Sequence, residues 1–159
     1  MTVDEITEYD VDRMSDEEIR GFLSSHSVGV LGLPTDGAPS LRPMSFWFDG
    51  ESGLYLLYFL GESSRKVELS EQADVARFLV YSAETTFTWR SVLLTGTLNE
   101  VPKSEWKTVQ EDVESAWRPD ALKQALTDDN IRIYQFRIDE QTGLRSTGIP
   151  PGFEEDPTA

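Results

Sequence analysis

The sequence predicts a mainly β protein: an antiparallel β-barrel of six or seven strands, Greek-key in type, with two or three flanking α-helices. Short apolar runs recur at even spacing, and clusters of Gly, Pro, Asp and Ser stand between them. Only a few segments carry apolar residues at helical spacing. The chain has 159 residues, of which 38% are hydrophobic, so it is long enough to bury one core.

The first predicted element is a short helix. Ser15 and Glu18 have the spacing of a capping box, so a helix is expected to run from there to about Ser25. Its apolar stripe consists of Ile19, Phe22 and Leu23. The single histidine, His26, follows the helix end, and a helix terminus explains it better than catalysis does.

Three strands are predicted next, joined by turns rich in Gly, Asp and Pro: Ser27–Leu33, Ser40–Phe48 and Leu54–Phe59. The second of these contains Pro43. Proline has no backbone N–H to donate to a sheet ladder, so it marks an edge or a place where the backbone faces something other than a strand. A short helix that ends at Glu71 and Gln72 is expected after the third strand.

The second half of the chain is predicted to continue as strands. A strand over Val75–Tyr81, with Val75, Leu79 and Tyr81 buried, is followed by a polar loop over 82–88. A long strand then covers residues 90–101, and Gly96 within it indicates a bulge or a close backbone approach.

The last segments mix helix and strand. Trp106, Val109, Val113 and Trp117 recur at helical spacing and predict a helix from Ser104 to Trp117 whose tryptophans lie in the core. The remaining expected elements are a short helical turn over 120–126, a strand over 131–138, a turn at 141–143 and a return over 144–147. We therefore expect an N-terminal arm over 1–14, one domain over 15–147 and a mobile tail over 148–159.

Composition limits the partners. The chain holds 29 Asp and Glu against 14 Lys and Arg, a formal net charge of -15, which disfavours nucleic acid and anionic membranes as partners. Acidic residues spread along the chain, with ten Arg, four Lys and no Cys, are typical of the cytoplasmic proteins of salt-loving archaea. No signal peptide is expected at the N-terminus, so the predicted location is cytoplasmic.

The inventory of reactive residues excludes several kinds of catalysis. With one histidine and no cysteine, the sequence has neither the usual zinc ligands nor a thiol nucleophile. There is no Gly-x-Ser-x-Gly elbow and no Walker-type loop. Any chemistry is therefore expected to come from a borrowed cofactor.

The stretch from Tyr58 to Val67 has the composition of an anion site. A strand ends near Gly61, two serines follow, and the cations Arg65 and Lys66 open a helix, where backbone N–H groups and positive charge suit a phosphate. The alternative is an ordinary helix cap, with the two cations paired to neighbouring glutamates in solvent.

Three segments follow one another along the chain: a strand with Arg-Pro, Ser-Arg-Lys before a helix, and Trp-x-Ser-Val with a glycine five residues after Ser91. This arrangement resembles the pyridoxamine phosphate oxidase-like, FMN-binding split β-barrel family. The resemblance covers about Ser15 to Val101 and is greatest to its small haloarchaeal branch. It implies an FMN cofactor and a homodimer with two FMN sites at the subunit interface.

The resemblance also implies a role for each matching residue. The strand around Arg42 would follow the flavin ring and ribityl chain, Ser64, Arg65 and Lys66 would bind the phosphate, and Ser91 would bond the ring beside Trp89. The full set of implied cofactor-binding residues is Arg42, Pro43, Met44, Ser45, Tyr58, Phe59, Ser64, Arg65, Lys66, Trp89 and Ser91.

The expected function is that of an FMN-dependent oxidoreductase whose substrate the sequence does not specify. True pyridoxamine phosphate oxidases carry a C-terminal Trp and an Arg-x-His pattern, and residues 134–147 contain no Trp or His, so that activity is not assigned. The alternatives are a non-catalytic protein that binds flavin, deazaflavin or haem, and a dimeric barrel without a ligand.

Overall fold

The computed structural model describes residues 11–59, 65–113, 130–146 and Gly148. Within them lie seven strands and three α-helices. In chain order these are β1 (Val11–Arg13), α1 (Asp16–Ser24), β2 (Val28–Leu33), β3 (Ser40–Phe48), β4 (Gly53–Phe59), α2 (Arg65–Gln72), β5 (Ala76–Thr85), β6 (Thr88–Glu100), a 3-10 turn (Lys103–Glu105), α3 (Trp106–Val113) and β7 (Ile131–Ser146).

Six of the strands close into a barrel. The sheet order is β1-β7-β4-β3-β2-β5-β6, and β6 pairs in turn with β7. Every described pairing is antiparallel, and β1 adds a seventh strand that pairs with residues 144–146 of β7. This confirms the predicted mainly β, antiparallel barrel with flanking helices. The strand β1 lies within the segment expected as an N-terminal arm.

Two apolar clusters hold the barrel together. The larger fills the interior and includes fully buried Leu31, Phe46, Phe78 and Phe136. The smaller lies outside the barrel wall beneath α3, and its members are Trp47, Leu57, Val101, Trp106, Val109, Ile131 and Ile133. Trp106 thus belongs to a core, as expected, and its indole N–H donates to the Val101 carbonyl oxygen at 3.0 Å.

The helix α1 forms for the reason that the sequence indicates. The Glu18 N–H donates to Ser15 Oγ at 3.2 Å, and the Ser15 N–H donates to Glu18 Oε1 at 3.4 Å, so the predicted capping box is confirmed. The apolar stripe of Ile19, Phe22 and Leu23 is buried in the barrel interior cluster. His26 Nδ1 lies 2.7 Å from the Phe22 carbonyl oxygen at the helix end.

Two predicted loops are wrong. The strand β5 continues to Thr85, and a turn at 86–87 replaces the expected loop over 82–88. The strand β7 runs without interruption through the expected turn at 141–143 because it pairs with β6 along this length. Gly143 serves packing there, since a Cβ atom on it would lie 2.8 Å from both Met14 and Ile19 side chains.

The burial predicted for β5 is also wrong. Ala76, Phe78 and Val80 face the interior, whereas Val75 and Tyr81 are 53% and 58% exposed. The outer face carries Leu79 and Tyr81 beside Arg77, so it too is largely apolar, and alternation alone does not tell which face is inside. The outer face of β5 therefore presents apolar side chains to solvent.

The prediction for Gly96 is confirmed. The register between β6 and β7 shifts between Thr95 and Gly96, as at a β-bulge. A Cβ atom at Gly96 would collide with the backbone carbonyl of Arg137, so the two strands approach each other too closely for any side chain.

The predicted helix over 104–117 is described only to Val113. The helical turn over 120–126 and most of the expected arm and tail lie outside the described residues. No described helix is long and apolar enough to cross a membrane.

Candidate functional site

The strands β3 and β4 separate partway along their length. They pair only over Phe46–Leu56, Trp47–Tyr55 and Phe48–Leu54. Residues 40–45 of β3 pair with β2 alone, and residues 57–59 of β4 pair with β7 alone. We call the gap between residues 41–45 and residues 57–59 the fork.

The backbone of β3 offers unpaired polar groups to the fork. Phe46 donates its N–H to the Ser27 carbonyl oxygen at 2.9 Å, on the side away from β4. Successive residues of a strand direct their backbone groups to opposite sides, so Leu41, Pro43 and Ser45 direct theirs to the fork. Pro43 has no N–H that could remain unpaired, and its backbone faces the side of β3 that has no strand partner. This agrees with the prediction that the proline marks a place where the backbone does not face another strand.

The side chain of Lys66 lies across the fork. Its Nζ atom is 3.8 Å from Met44 Sδ on β3 and 4.7 Å from the centre of the Tyr58 ring on β4. The ammonium group therefore contacts both strands at the point where they diverge. This is the only charged group that the described contacts place between them.

The charge on Lys66 is not neutralised by the described surroundings. Burial lowers its pKa below the ordinary value, and the nearby positive charge of Arg42 lowers that pKa further. No described carboxylate lies within salt-bridge distance of Lys66 or of Arg42. Two cations held near each other without a counter-charge form a site for an anion.

A buried hydrogen-bond chain fixes the helix that carries Lys66. Ser70 Oγ donates to the Lys66 carbonyl oxygen at 2.6 Å and lies 2.8 Å from the Tyr58 hydroxyl. Because Ser70 has one proton to donate, the Tyr58 hydroxyl donates to Ser70 Oγ. Burial raises the pKa of Tyr58 well above its ordinary value, so this donor stays protonated. The Tyr58 ring also stacks on Tyr134 at 4.1 Å.

Sequence reasoning missed Ser70. It is the only polar residue among the described buried ones, with 3% of its surface exposed. A signal existed, since Ser70 lies four residues after Lys66 in a helix, the spacing at which a hydroxyl bonds the preceding carbonyl.

Arg65 and Lys66 occupy different surroundings. Arg65 is exposed and lines an open cavity of about 500 Å³ between the β2–β3 turn and α2. Lys66 enters the fork instead. The predicted phosphate segment thus holds two cations that face neighbouring spaces, and its third member, Ser64, lies outside the described residues.

Trp89 and Ser91 do not join the fork within one chain. They lie on β6, which is three strand steps from β3 through β5 and β2, and two strand steps from β4 through β7. Two steps between strands, at about 4.8 Å each, amount to roughly 10 Å. Trp89 borders a separate cavity of about 220 Å³ with Arg90 and Arg145. Phe59 ends β4 and pairs with Ile131.

One outer face of the barrel is apolar. The four exposed large hydrophobic side chains of the described residues all lie on it: Val28 at 58%, Leu41 at 65%, Val75 at 53% and Tyr81 at 58%. A groove of about 480 Å³ runs along this face past Val30, Leu79 and Leu93, and the exposed Arg77 also lines it. We call these residues together the outer apolar face. By strand alternation Pro43, Ser45 and Ser91 face the same side.

The described residues contain no cluster of three or more His, Asp or Glu that could hold a metal ion. Among the described residues, the fork combines two cations with an open backbone edge.

Comparisons with known proteins find solved structures of the same fold. The chain is similar to a FAD-binding protein from Mesorhizobium loti, with 20% identity, coverage of 86% of this chain and 96% of that chain, and a TM-score of 0.69. It is also similar to a flavocytochrome from Azotobacter vinelandii, with 16% identity, 94% and 73% coverage, and a TM-score of 0.67.

A FAD and haem binding protein from Mycobacterium smegmatis shares the fold as well, with 16% identity, 92% and 77% coverage, and a TM-score of 0.68. No curated protein sequence matches the chain. The sequence profile of the pyridoxamine 5'-phosphate oxidase family matches residues 15–145, which span most of the chain. The chain therefore belongs to the pyridoxamine 5'-phosphate oxidase family, whose fold is the FMN-binding split barrel.

Proposed function

We propose that this protein binds FMN in the fork, with the phosphate at Lys66 and Arg42 and the ring along the open edge of β3. The observation that carries the proposal is the Lys66 ammonium, held against Met44 and Tyr58 without a described counter-charge. A phosphate dianion supplies the missing charge and restores the electrostatic balance of the two cations.

The overall charge makes such a local concentration of cations necessary. A protein of net charge -15 repels an anionic ligand at long range, so binding requires strong local attraction. Lys66, half-buried, is less screened by salt than a surface lysine. Its attraction for a phosphate therefore persists at high salt concentrations, which also screen the repulsion among the many acidic residues of this chain.

The unpaired backbone edge of β3 can form hydrogen bonds with the flavin ring, at the end of the cofactor opposite the phosphate. Leu41 and Ser45 each direct one N–H and one carbonyl to the fork, and Pro43 directs a carbonyl. A flavin ring carries hydrogen-bond donors and acceptors along one edge and can replace the missing strand partner. The structural relatives described as FAD-binding support the same assignment.

We propose that the bound flavin serves an oxidoreductase. Flavin supplies the redox chemistry, and the protein's part is to bind it, orient the ring and limit its access to water. The alternative is a flavin-binding protein without turnover. Anaerobic bleaching of the flavin absorbance by a reduced nicotinamide separates the two. A pyridoxamine phosphate oxidase activity is not proposed, since residues 134–147 lack the Trp and His of those enzymes.

We further propose a homodimer formed through the outer apolar face. Burying four exposed apolar side chains favours association. Ser91 lies on this face, close along the chain to Trp89, and Pro43 and Ser45 at the edge of the fork face the same way. A second copy on this face brings its own Trp89 and Ser91 toward the fork, which accounts for their separation from Lys66 within one chain.

We expect the Lys66→Glu variant to lose flavin during purification while it keeps its fold. The change replaces a phosphate ligand with a repelling carboxylate, so FMN affinity falls by at least about 100-fold. Bound flavin is measured by absorbance, and folding by circular dichroism. Lys107→Glu makes the same charge change on an exposed position of α3 and is expected to retain flavin. Undiminished flavin in Lys66→Glu would contradict the phosphate assignment.

We expect FMN affinity to fall as pH rises through the lowered pKa of Lys66. Burial and Arg42 lower that pKa, so deprotonation, and loss of the phosphate contact, begins at a lower pH than for an exposed lysine. Fluorescence titrations of FMN across alkaline pH measure the effect. Lys66→Arg keeps its charge and should remove this dependence, while the flavin's own ionisation is common to both proteins. Identical pH profiles would contradict the assignment.

We expect Tyr81→Arg to produce a monomer that binds FMN weakly. The change places a charge on the outer apolar face, at a side chain that is 58% exposed in one chain. Light scattering after size exclusion measures the mass, in high and in low salt. Low salt should also weaken the wild-type dimer, since each copy carries -15. Asn99→Arg, at an exposed position near the end of β6, is the control and should remain a dimer. A dimeric Tyr81→Arg would exclude this face as the interface.

A further inference from the structure

Three strands of the barrel carry a row of polar side chains. Ser82 on β5 pairs with Arg90 on β6, and Arg90 pairs with Arg145 on β7. Side chains of directly paired residues lie on the same face of a sheet, with Cβ atoms about 4.5–5.5 Å apart, and like charges placed in this way repel each other. The row therefore contains two arginines that are stabilised only if negative charge lies near them.

The two arginines of the row differ in their surroundings. Arg145 Nη1 lies 2.6 Å from Glu18 Oε2, and Arg145 Nη2 lies 4.0 Å from Asp12 Oδ2, so its charge is offset. The guanidinium carbon of Arg90 instead lies 4.9 Å from the centre of the Phe22 ring. No described carboxylate is within salt-bridge distance of Arg90. Arg90 thus packs on an aromatic ring without a described counter-charge.

The contact with Phe22 leaves the N–H donors of Arg90 available. Phe22 is buried in the core, so its ring is a fixed support for the guanidinium group. A guanidinium group that packs its face on a ring keeps its N–H donors in its own plane, at its edge. Two parallel donors at that edge match the two oxygens of a carboxylate. Arg90 is therefore suited to bind a carboxylate through two hydrogen bonds.

Arg90 and Arg145 border the cavity of about 220 Å³ described above, which we call the arginine cavity. Ser82 and Thr88 also line it, and a hydroxyl group both donates and accepts hydrogen bonds. Sites for drug-sized ligands measure about 300–1,000 Å³, so this cavity is small. It therefore suits a molecule of only a few non-hydrogen atoms.

A negative side chain lines the same cavity. Glu84 is exposed and is the extra residue of a β-bulge, because Ala83 and Thr85 pair with consecutive residues of β6. The Glu84 carboxylate is not within salt-bridge distance of Arg90 or of any other described cation. The lining thus presents one carboxylate and one guanidinium group that are not paired with each other. A ligand with negative charge alone is attracted by Arg90 and repelled by Glu84.

We propose that the arginine cavity binds a small zwitterionic amino acid. The Arg90 guanidinium group binds the carboxylate of the ligand, and the Glu84 carboxylate binds its ammonium group, so both charges of the cavity gain a partner. The inference does not depend on the flavin, since neither residue is among those assigned to FMN.

The test uses L-alanine and two analogues on the purified full-length protein. Propionate keeps the carboxylate of alanine and lacks its ammonium group, whereas ethylamine keeps the ammonium group and lacks the carboxylate. Saturation-transfer NMR titrations measure the three affinities. We expect L-alanine to bind saturably and at least about tenfold more tightly than either analogue, since each analogue loses one charge-assisted interaction.

Four variants locate the binding site. Arg90→Gln and Glu84→Gln each remove one charge and are expected to weaken L-alanine binding at least about tenfold. Arg20→Gln and Glu51→Gln make the same changes at exposed positions outside the cavity and are expected to leave the affinity unchanged. Circular dichroism and flavin content check the fold and the cofactor in each variant. If Arg90→Gln does not fold, Arg90→Lys replaces it, because a lysine keeps the charge and loses the paired donors.

Three results would overturn the inference. They are the absence of saturable L-alanine binding, equal affinities for L-alanine and propionate, and L-alanine binding that the changes at Arg90 and Glu84 leave unaltered. None of the three bears on FMN binding, which the Lys66→Glu variant tests separately.

Discussion

The positive charge of Lys66 in the fork is the interaction on which the functional interpretation depends. An ammonium group beside Met44 and the Tyr58 ring is partly removed from water, and Arg42 adds repulsion. Such a placement costs free energy in the absence of a ligand. A bound anion would offset this cost, and for that reason we propose the phosphate site at this charge.

The barrel creates the space for that charge. Its long strand β7 pairs with β4 and β6 and closes the wall, while β3 and β4 pair over only three positions. The helix α2 enters where they part, and Ser70 ties it to Tyr58 at the wall. The same separation of β3 and β4 leaves backbone groups of β3 unpaired. It therefore makes room for the Lys66 side chain and also exposes an edge that can form hydrogen bonds.

Local patterns predicted local features well. The capping box at Ser15 and the edge position of Pro43 followed from single residues whose hydrogen bonding is restricted. The anion site, which stays a prediction, was expected because Arg65 and Lys66 break an acidic pattern. What the sequence did not contain was the direction of each side chain, so it did not show that these two cations face different spaces.

The remaining errors share a physical cause. Val75 and Tyr81 were expected inside because a strand with two apolar faces gives no sign of which face packs on the core. Gly143 was interpreted as a turn, although it makes room for Met14 and Ile19 in a continuous strand. Both features depend on contacts between segments distant in sequence, and the outer apolar face is evident only once the barrel is closed.

The most direct measurement of the central claim compares FMN with riboflavin, which lacks the phosphate. We expect the wild-type protein, in high salt, to bind FMN at least about 100-fold more tightly, since each charge-assisted hydrogen bond to the phosphate contributes about 1.5–3 kcal/mol. Equal affinities for the two flavins would show that Lys66 and Arg42 do not bind a phosphate.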